Sequence, residues 1–335
     1  VTTKHPSVGI IGAGNMARVH AAAWNELGAR LSFFTPSGSA DIASEFQGTE
    51  ATSLADLFAT TDLIDICAPT PHHADLATLA LQADRHVLCE KPLARNVEDA
   101  RKIIALATER GRVLMPAHVV RYFPQYAAAY EAVANESLGS LAVLRFHRSG
   151  ARPQRPWFSD EAWSGGIVLD QMIHDIDQAV SMAGPVASVY ASENRHDGAS
   201  GRVQTAHAIL THRSGAVSHC RGQWGAAGTA FSYGFDIAGT RGTLTYDSRK
   251  NTGFEMSTVA DEGGRSPQDG FLPDLGYMAN PYTEQARDFA RAAFEGHTPR
   301  VTASDGLYAV QLSLAAIQSI DERRVIDIQN EGDRA

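Results

Sequence analysis

The apolar run Val8–Ile11 leads directly into Gly12-Ala13-Gly14-Asn15-Met16-Ala17, and Met16, Val19, Ala23 and Leu27 then recur at helical spacing until Gly28. A strand, a GxGxxA turn and a helix in immediate succession predict the first βαβ unit of a dinucleotide-binding sheet. Gly12 permits the tight turn, and Gly14 lets backbone approach a pyrophosphate. Ala17 is small enough for close packing of helix on strand. The start of the helix, at Asn15 and Met16, offers unsatisfied N–H groups and the positive end of its dipole. The competing reading is a glycine-rich turn with a structural role alone.

The following segments repeat the alternation. Leu31–Phe34, Leu63–Ala68, Val87–Cys89 and Val113–Met115 read as strands. Between them lie helices at Leu54–Phe58, from His73 to Ala83, and from a cap at Asn96 through Ile103 and Ile104 to Gly111. Such alternation predicts an α/β fold with a doubly wound parallel sheet. The pattern changes around Arg121–Pro124, so the dinucleotide-binding Rossmann domain is expected over residues 1–122. The second domain is then 123–335, for substrate binding and oligomerisation. It opens with helices from about Gln125 to Ser137 and from Leu169 to Ala183. Strands follow near Val186–Glu193, Val203–Thr211, Ala216–Gln223, Phe231–Ala238 and Gly242–Tyr246. Consecutive strands with short turns predict an α+β domain with a large open, mostly antiparallel sheet. Asp261–Pro273 reads as a loop, and helices near Thr283–Phe294 and Asp305–Ile320 close the chain.

Composition narrows the partners. A formal net charge of −9 argues against nucleic acid, whose phosphates call for a basic surface. No apolar stretch reaches the length of a membrane span, and the first residues lack the apolar core of a signal peptide, so a cytoplasmic location is expected. The three cysteines, Cys67, Cys89 and Cys220, are odd in number and far apart, which speaks against a disulfide framework.

Two further clusters carry chemistry. Glu90-Lys91-Pro92 stands at the carboxyl end of the strand Val87–Cys89, where ligands bind in open α/β sheets. The Lys91 amine could stabilise negative charge developing on a substrate oxygen; the alternative is a solvated lysine. In Gly165–Asp177, Asp170 and His174 are four apart and share a face if helical, with Asp177 three further on. A carboxylate beside an imidazole raises its basicity, so His174 could take a hydroxyl proton. The alternative is a polar core histidine. The chain has 13 histidines, including His72-His73, His207, His212 and His219, but no HExxH, no cysteine cluster and no third ligand at a helpful spacing, so no metal is expected. At the end of the second strand, Phe34-Thr35-Pro36-Ser37-Gly38-Ser39 has no acid to hold a ribose diol and no Arg or Lys. Thr35, Ser37 and Ser39 could donate to a 2′-phosphate, which tips the choice between NADP and NAD towards NADP.

In this order the motifs resemble the glucose-fructose oxidoreductase / inositol dehydrogenase / rhizopine-catabolism family, Gfo/Idh/MocA. The matching features are the GxGxxA turn, Ala68-Pro69-Thr70-Pro71-His72-His73, Glu90-Lys91-Pro92, Arg121-Tyr122-Phe123-Pro124, and Ser164-Gly165-Gly166 leading to Asp170 and His174. Gly239–Leu244 and the stretch from Tyr282 and Phe289 to Pro299 and Asp305 extend the resemblance over nearly the whole chain. It implies an NAD(P)-dependent oxidoreductase acting on a secondary hydroxyl of a sugar, inositol or related polyol. His174 would be the general acid/base, Asp170 its support and Lys91 the group at the reacting oxygen. Pro69, Pro71, His73 and Glu90 would line the cofactor cleft. A homodimer or homotetramer through the C-terminal sheet would be the assembly. Two departures stand out: Ile167 replaces a third glycine, and Gln171-Met172 replaces a small pair, which would reshape the substrate pocket. Arg121, Arg152, Arg155 and Trp157 are candidates for its rim. Two rival readings are a glycosidase that uses NAD for transient oxidation and a non-enzymatic dinucleotide-binding regulator.

Overall fold

The computed structural model describes residues 5–153, 158, 160–198, 201–250 and 280–329. The chain forms two compact units, Val1–Phe123 with Tyr277–Val310, and Pro124–Gly276 with Gln311–Ala335. A single division after residue 122 is therefore modified, because the chain returns to its first unit near the C-terminus.

The first unit is a six-stranded parallel sheet of β1 (Ser7–Ile11), β2 (Arg30–Phe34), β3 (Thr49–Glu50), β4 (Leu63–Ile66), β5 (His86–Cys89) and β6 (Leu114–Pro116). The order is β3-β2-β1-β4-β5-β6, so the sense in which successive strands are added reverses between β1 and β4, the crevice where such sheets bind ligands. The helices are α1 (Asn15–Glu26), α2 (Ala40–Glu45), α3 (Leu54–Thr60), α4 (His73–Gln82) and α5 (Val97–Arg110). Asn96 caps α5 by accepting from the Asp99 amide at 2.8 Å, as its sequence position predicts.

Both faces of this sheet are covered. Ile64, Ile66, Val87 and Cys89 pack with Leu57, Ala77, Ala80 and Leu81 on one side. Val8, Ile10, Phe33 and Leu88 pack with Ala17, Ala21 and Trp24 of α1 on the other. The returning helix α9 (Pro281–Glu295) completes the second side, where fully buried Phe289 meets the Trp24 ring edge-on at 6.3 Å. Tyr122 donates to Asp288 at 2.7 Å, and the Arg300 guanidinium lies 5.1 Å from the Tyr122 ring centre. The helix assigned to the second domain from sequence thus closes the core of the first. Numbering continues through α6 (Pro124–Ala134), α7 (Glu161–Ser164) and α8 (Ile173–Ala183), and α10 (Ala303–Glu322) contributes residues to both units.

The second unit holds a seven-stranded sheet: β7 (Leu141–Ala151), β8 (Val186–Gly198), β9 (Gly201–His212), β10 (Val217–Gly225), β11 (Ser232–Gly239), β12 (Gly242–Asp247) and β13 (Ile326–Asp327). The order is β12-β11-β7-β10-β9-β8-β13; β7 and β10 are parallel and the other pairs antiparallel. The five strands expected from sequence are present. Two strands were not expected: β13, a two-residue edge strand, and β7, which lies in mid-sheet. Its inward positions run Leu144, Phe146 and Arg148, so the apolar alternation breaks at an arginine. Arg148 is 3% exposed and donates to Asp175 of α8 at 2.9 Å, a pairing that only the tertiary structure supplies. Asp261–Pro273, Arg155 and Trp157 lie outside the described residues.

Replacing Phe289 with Ala would empty the contact between α9 and α1. Its expected cost is about 3–5 kcal/mol. Urea denaturation should show that loss; a change below about 1 kcal/mol would mean that α9 is not part of the first core.

Candidate functional site

Gly12 follows β1 at φ +128°, and a Cβ there would sit 2.7 Å from the Cys67 carbonyl oxygen at the end of β4. Only glycine allows that approach. Gly14 is the N-cap of α1, no side chain caps it, and the first turn carries no acid. A helix start with no side-chain cap or acid suits an anion there, and buried Ala17 lets α1 lie close on β1. This cradle fits a dinucleotide pyrophosphate. Asn15 is exposed and Met16 half-buried at its mouth.

Loops after β4 and β5 join it. Pro69 precedes a single 3-10 turn at Thr70–His72, with Pro71 half-buried. His73, 1% exposed, places Nδ1 2.7 Å from the Pro92 carbonyl and Nε2 2.9 Å from the Ala68 carbonyl. Its ring ties the two loops together. Burial holds it below its ordinary pKa despite both carbonyls. Lys91 is half-buried beside a cis Lys91–Pro92 peptide, and its amide donates to Glu90 Oε2 at 3.0 Å.

Behind Glu90 lies a buried polar chain not anticipated from sequence. His20 of α1 directs Nδ1 at both oxygens of Asp65 on β4, at 3.0 and 2.9 Å, and Nε2 at Glu90 Oε1, at 3.1 Å. Trp24 donates to Asp65 at 2.7 Å, and the Cys67 thiol lies 3.5 Å from the same carboxylate. Burial opposes charge on His20, but its neighbours together, Asp65 foremost, raise the imidazole well above its ordinary pKa. Burial would lift Glu90, yet the His20 hydrogen bond holds it below the ordinary value. An imidazolium between two carboxylates is the consistent state. Sequence offered one signal: an aspartate in the otherwise apolar strand Leu63–Ile66.

Among the described residues, His20, Asp65 and Cys67 are also the one group with three potential ligand atoms within 4.8 Å. Burial pushes the Cys67 thiol up to about 12, so it keeps its proton near neutrality. With His20 spanning two carboxylates, the group holds protons rather than offering lone pairs to a cation. All three cysteines are free thiols.

The loop after β2 differs from its sequence reading. Ser37 N donates to Thr35 Oγ1 at 3.2 Å, and Thr35 Oγ1 donates to the Gly38 carbonyl at 3.2 Å. Ser39 is 2% exposed, and its hydroxyl is 3.0 Å from the Phe33 carbonyl. Glu50 of β3, paired with Phe33 in register, accepts from the Ser39 amide at 2.5 Å. An acid therefore does stand at this loop, brought from eleven residues beyond Ser39 by a two-residue strand. Asp41 lies in the first turn of α2.

In the second unit, Asp170 sits in a π-helical turn, Val168–Met172, and His174 in the first turn of α8. The expected continuous α-helix thus starts with a widened turn, a feature frequent at functional sites. Asp170 is 6% exposed, Asp177 2%, and His174 half-buried. Burial raises the Asp175 carboxyl even with Arg148 beside it. The two departures from the family pattern have a packing cause. A Cβ on Gly222 of β10 would lie 2.5 Å from Met172 and 3.3 Å from Ile167, so both large side chains fill the space above a glycine. Met172 is wholly buried, Ile167 1% exposed and Gln171 8% exposed. Arg121 is engaged within the first unit, 3.3 Å from Asp305 and 3.2 Å from the Arg300 carbonyl. Arg152 is half-buried, and its amide donates to the Gly225 carbonyl at 3.1 Å.

The polar chain has a pH signature. His20 is raised, so its contribution is complete below its ordinary 6.5 and fades as pH climbs through the raised value. Glu90 is lowered, so its contribution is complete above 4.5 and fades as pH falls through the lowered value. Asp65→Asn should cost about 3–5 kcal/mol and flatten the decline of stability above pH 6.5. Urea melts across a pH series read both effects, and an unchanged slope in the variant would refute the imidazolium.

Comparison with known proteins adds independent findings. Residues 7–118 match a family model described as an oxidoreductase family with an NAD-binding Rossmann fold. Residues 126–245 match the GFO/IDH/MocA C-terminal domain. Myo-inositol 2-dehydrogenase of Thermotoga maritima is 28% identical over 277 residues, 80% of each chain. Inositol 2-dehydrogenase of Rhizobium meliloti is 27% identical, covering 96% of this chain and 98% of its own. Among solved structures, GenD2 from gentamicin A biosynthesis, in complex with NAD, superposes with a TM-score of 0.85 at 26% identity over 98% of both chains. Among the described residues no helix is long and apolar enough to cross a membrane.

Proposed function

This chain belongs to the GFO/IDH/MocA oxidoreductase family, and from that premise we propose that it oxidises a secondary hydroxyl of a sugar, inositol or related polyol, or runs the reverse reduction, with a nicotinamide dinucleotide. The observation that carries the reading is the cradle at Gly12. Its backbone lies against the Cys67 carbonyl at the switch point, and the uncapped start of α1 follows. The inositol dehydrogenases that resemble the chain over most of its length support the substrate class.

Gly12, Gly14, Asn15, Met16 and Ala17 would hold the pyrophosphate, with Thr35 and Ser37 near the adenosine ribose. Pro69, Pro71, His73 and Glu90 would shape the wall that faces the cofactor. The dinucleotide, when bound, supplies the hydride acceptor at its nicotinamide ring. His174 accepts the hydroxyl proton as the carbon loses hydride, and returns it in the reverse direction. Asp170 orients the imidazole. The Lys91 ammonium donates to the substrate oxygen and stabilises its alkoxide character. The π turn places Asp170 on a backbone whose spacing is set by Ile167 and Met172 against Gly222, which favours a fixed geometry. Glu90, held ionised by His20, fixes the Lys91 backbone through its amide.

A homo-oligomer through the second sheet is part of this reading. Tyr190, Ile209 and Val217 are 44%, 42% and 37% exposed, and strand register puts them on one face. A second copy of the chain would cover that apolar surface.

A panel of polyols and sugars with NAD and NADP, followed by absorbance of the reduced nicotinamide, tests the reaction. Lys91→Ala and His174→Ala are each expected to lower kcat by about 10²–10⁴-fold while binding of the reduced dinucleotide stays within a few fold. Near-normal turnover in both variants would remove the assignment.

A further inference from the structure

We propose that Glu50 makes the cofactor site select NAD over NADP, by presenting a carboxylate from β3 to the loop after β2 where the adenosine 2′ position binds. The proposal rests on the dinucleotide reading above and goes beyond it, since the stretch Phe34–Ser39 contains no acid of its own.

Three observations carry it. First, strand register sets Glu50 opposite Phe33, next to the end of β2, so its side chain reaches the loop by tertiary pairing. Glu50 Oε1 accepts from Ser39 N at 2.5 Å and lies 3.2 Å from Ser39 Oγ. It would stand 3.7 Å from a Cβ on Gly38. The residue is exposed, so its carboxylate is anchored at one oxygen and open to solvent. An anchored carboxylate at this loop can accept from both hydroxyls of a ribose diol, as the acid at the end of the second strand does in NAD-binding sheets.

Second, the hydroxyls that a 2′-phosphate would need are committed. Thr35 bonds within the turn to Ser37 and Gly38. Ser39 is buried, and its one hydroxyl proton is shared between the Phe33 carbonyl and Glu50. Third, the guanidinium on the adjoining helix is already paired with a carboxylate, which offsets its charge. Arg18 of α1 donates to the Ala13 carbonyl at 2.6 Å and to Glu45 at 2.8 Å. A 2′-phosphate carries a charge of about −1.5 to −2 near neutrality. It would meet the Glu50 carboxylate, with the Arg18 charge offset by Glu45.

The test is calorimetric binding of NADH and NADPH to the full chain and to Glu50→Gln, whose amide oxygen still accepts from Ser39 N. Adenosine 5′-monophosphate and adenosine 2′,5′-bisphosphate are titrated alongside. The wild type should bind NADH at least about tenfold more tightly than NADPH at low ionic strength, with a gap that narrows as salt screens the repulsion. The two adenosine fragments should show the same order, and they test the proposal on the unmodified chain even if the variant fails to fold. Glu50→Gln should gain about tenfold for NADPH and lose a few fold for NADH. Equal binding of both dinucleotides by the wild type, or a folded variant with an unchanged ratio, would overturn the role of Glu50 and leave the dinucleotide site standing. Failure to bind either dinucleotide would overturn both.

Discussion

The nucleotide-binding unit is organised around one imidazole. His20 reaches from α1 to Asp65 on β4 and to Glu90 after β5, with every contact at or below 3.1 Å. Breaking a buried ionic chain leaves an uncompensated charge, which costs far more than the intact chain contributes. The three elements are therefore held in one relative position. The glycine turn precedes α1, the Pro69–Pro71 loop follows β4 and Lys91 follows β5, so the polar chain constrains how these groups face one another within the unit.

The apolar core makes that arrangement possible. Desolvating an imidazole and two carboxylates needs a rigid surround, and helices on both faces of the sheet supply it. One of those helices, α9, arrives more than 160 residues after the sheet ends. Phe289 against Trp24, and Asp288 on Tyr122, seal the side from which His20 and Asp65 would otherwise meet water. His20 itself lies 5.8 Å from the ring of Tyr282 on that helix. The second unit uses the same device once, with Arg148 and Asp175 joining β7 to α8 beneath the segment that bears His174.

In the proposed reading, cofactor choice and catalysis draw on different kinds of sequence feature. The groups assigned to chemistry lie in contiguous motifs, Glu90-Lys91-Pro92 and the segment Asp170–His174. The group assigned to cofactor choice belongs to no motif. Glu50 reaches its place because a strand of two residues adds to the edge of the sheet beside β2. The leaning towards NADP rests on a local stretch without acid, whereas the neighbouring strand brings Glu50 to the Ser39 amide of that loop.

The strand–turn–helix order, the parallel first sheet, the glycine that φ +128° demands and the place of Lys91 just after β5 were legible in the sequence. Each depends on periodicity or on backbone rules that act within a few residues. The return of α9 to the first core, the central strand β7, the π turn at Asp170, the chain from Asp65 to Glu90 and the carboxylate at Ser39 were decided only in three dimensions. Those features pair residues far apart along the chain, and two of them bury charges that a reader of the sequence would place in water. A buried charge is stable only beside its counter-charge, and the identity of that partner is a property of packing, not of local pattern.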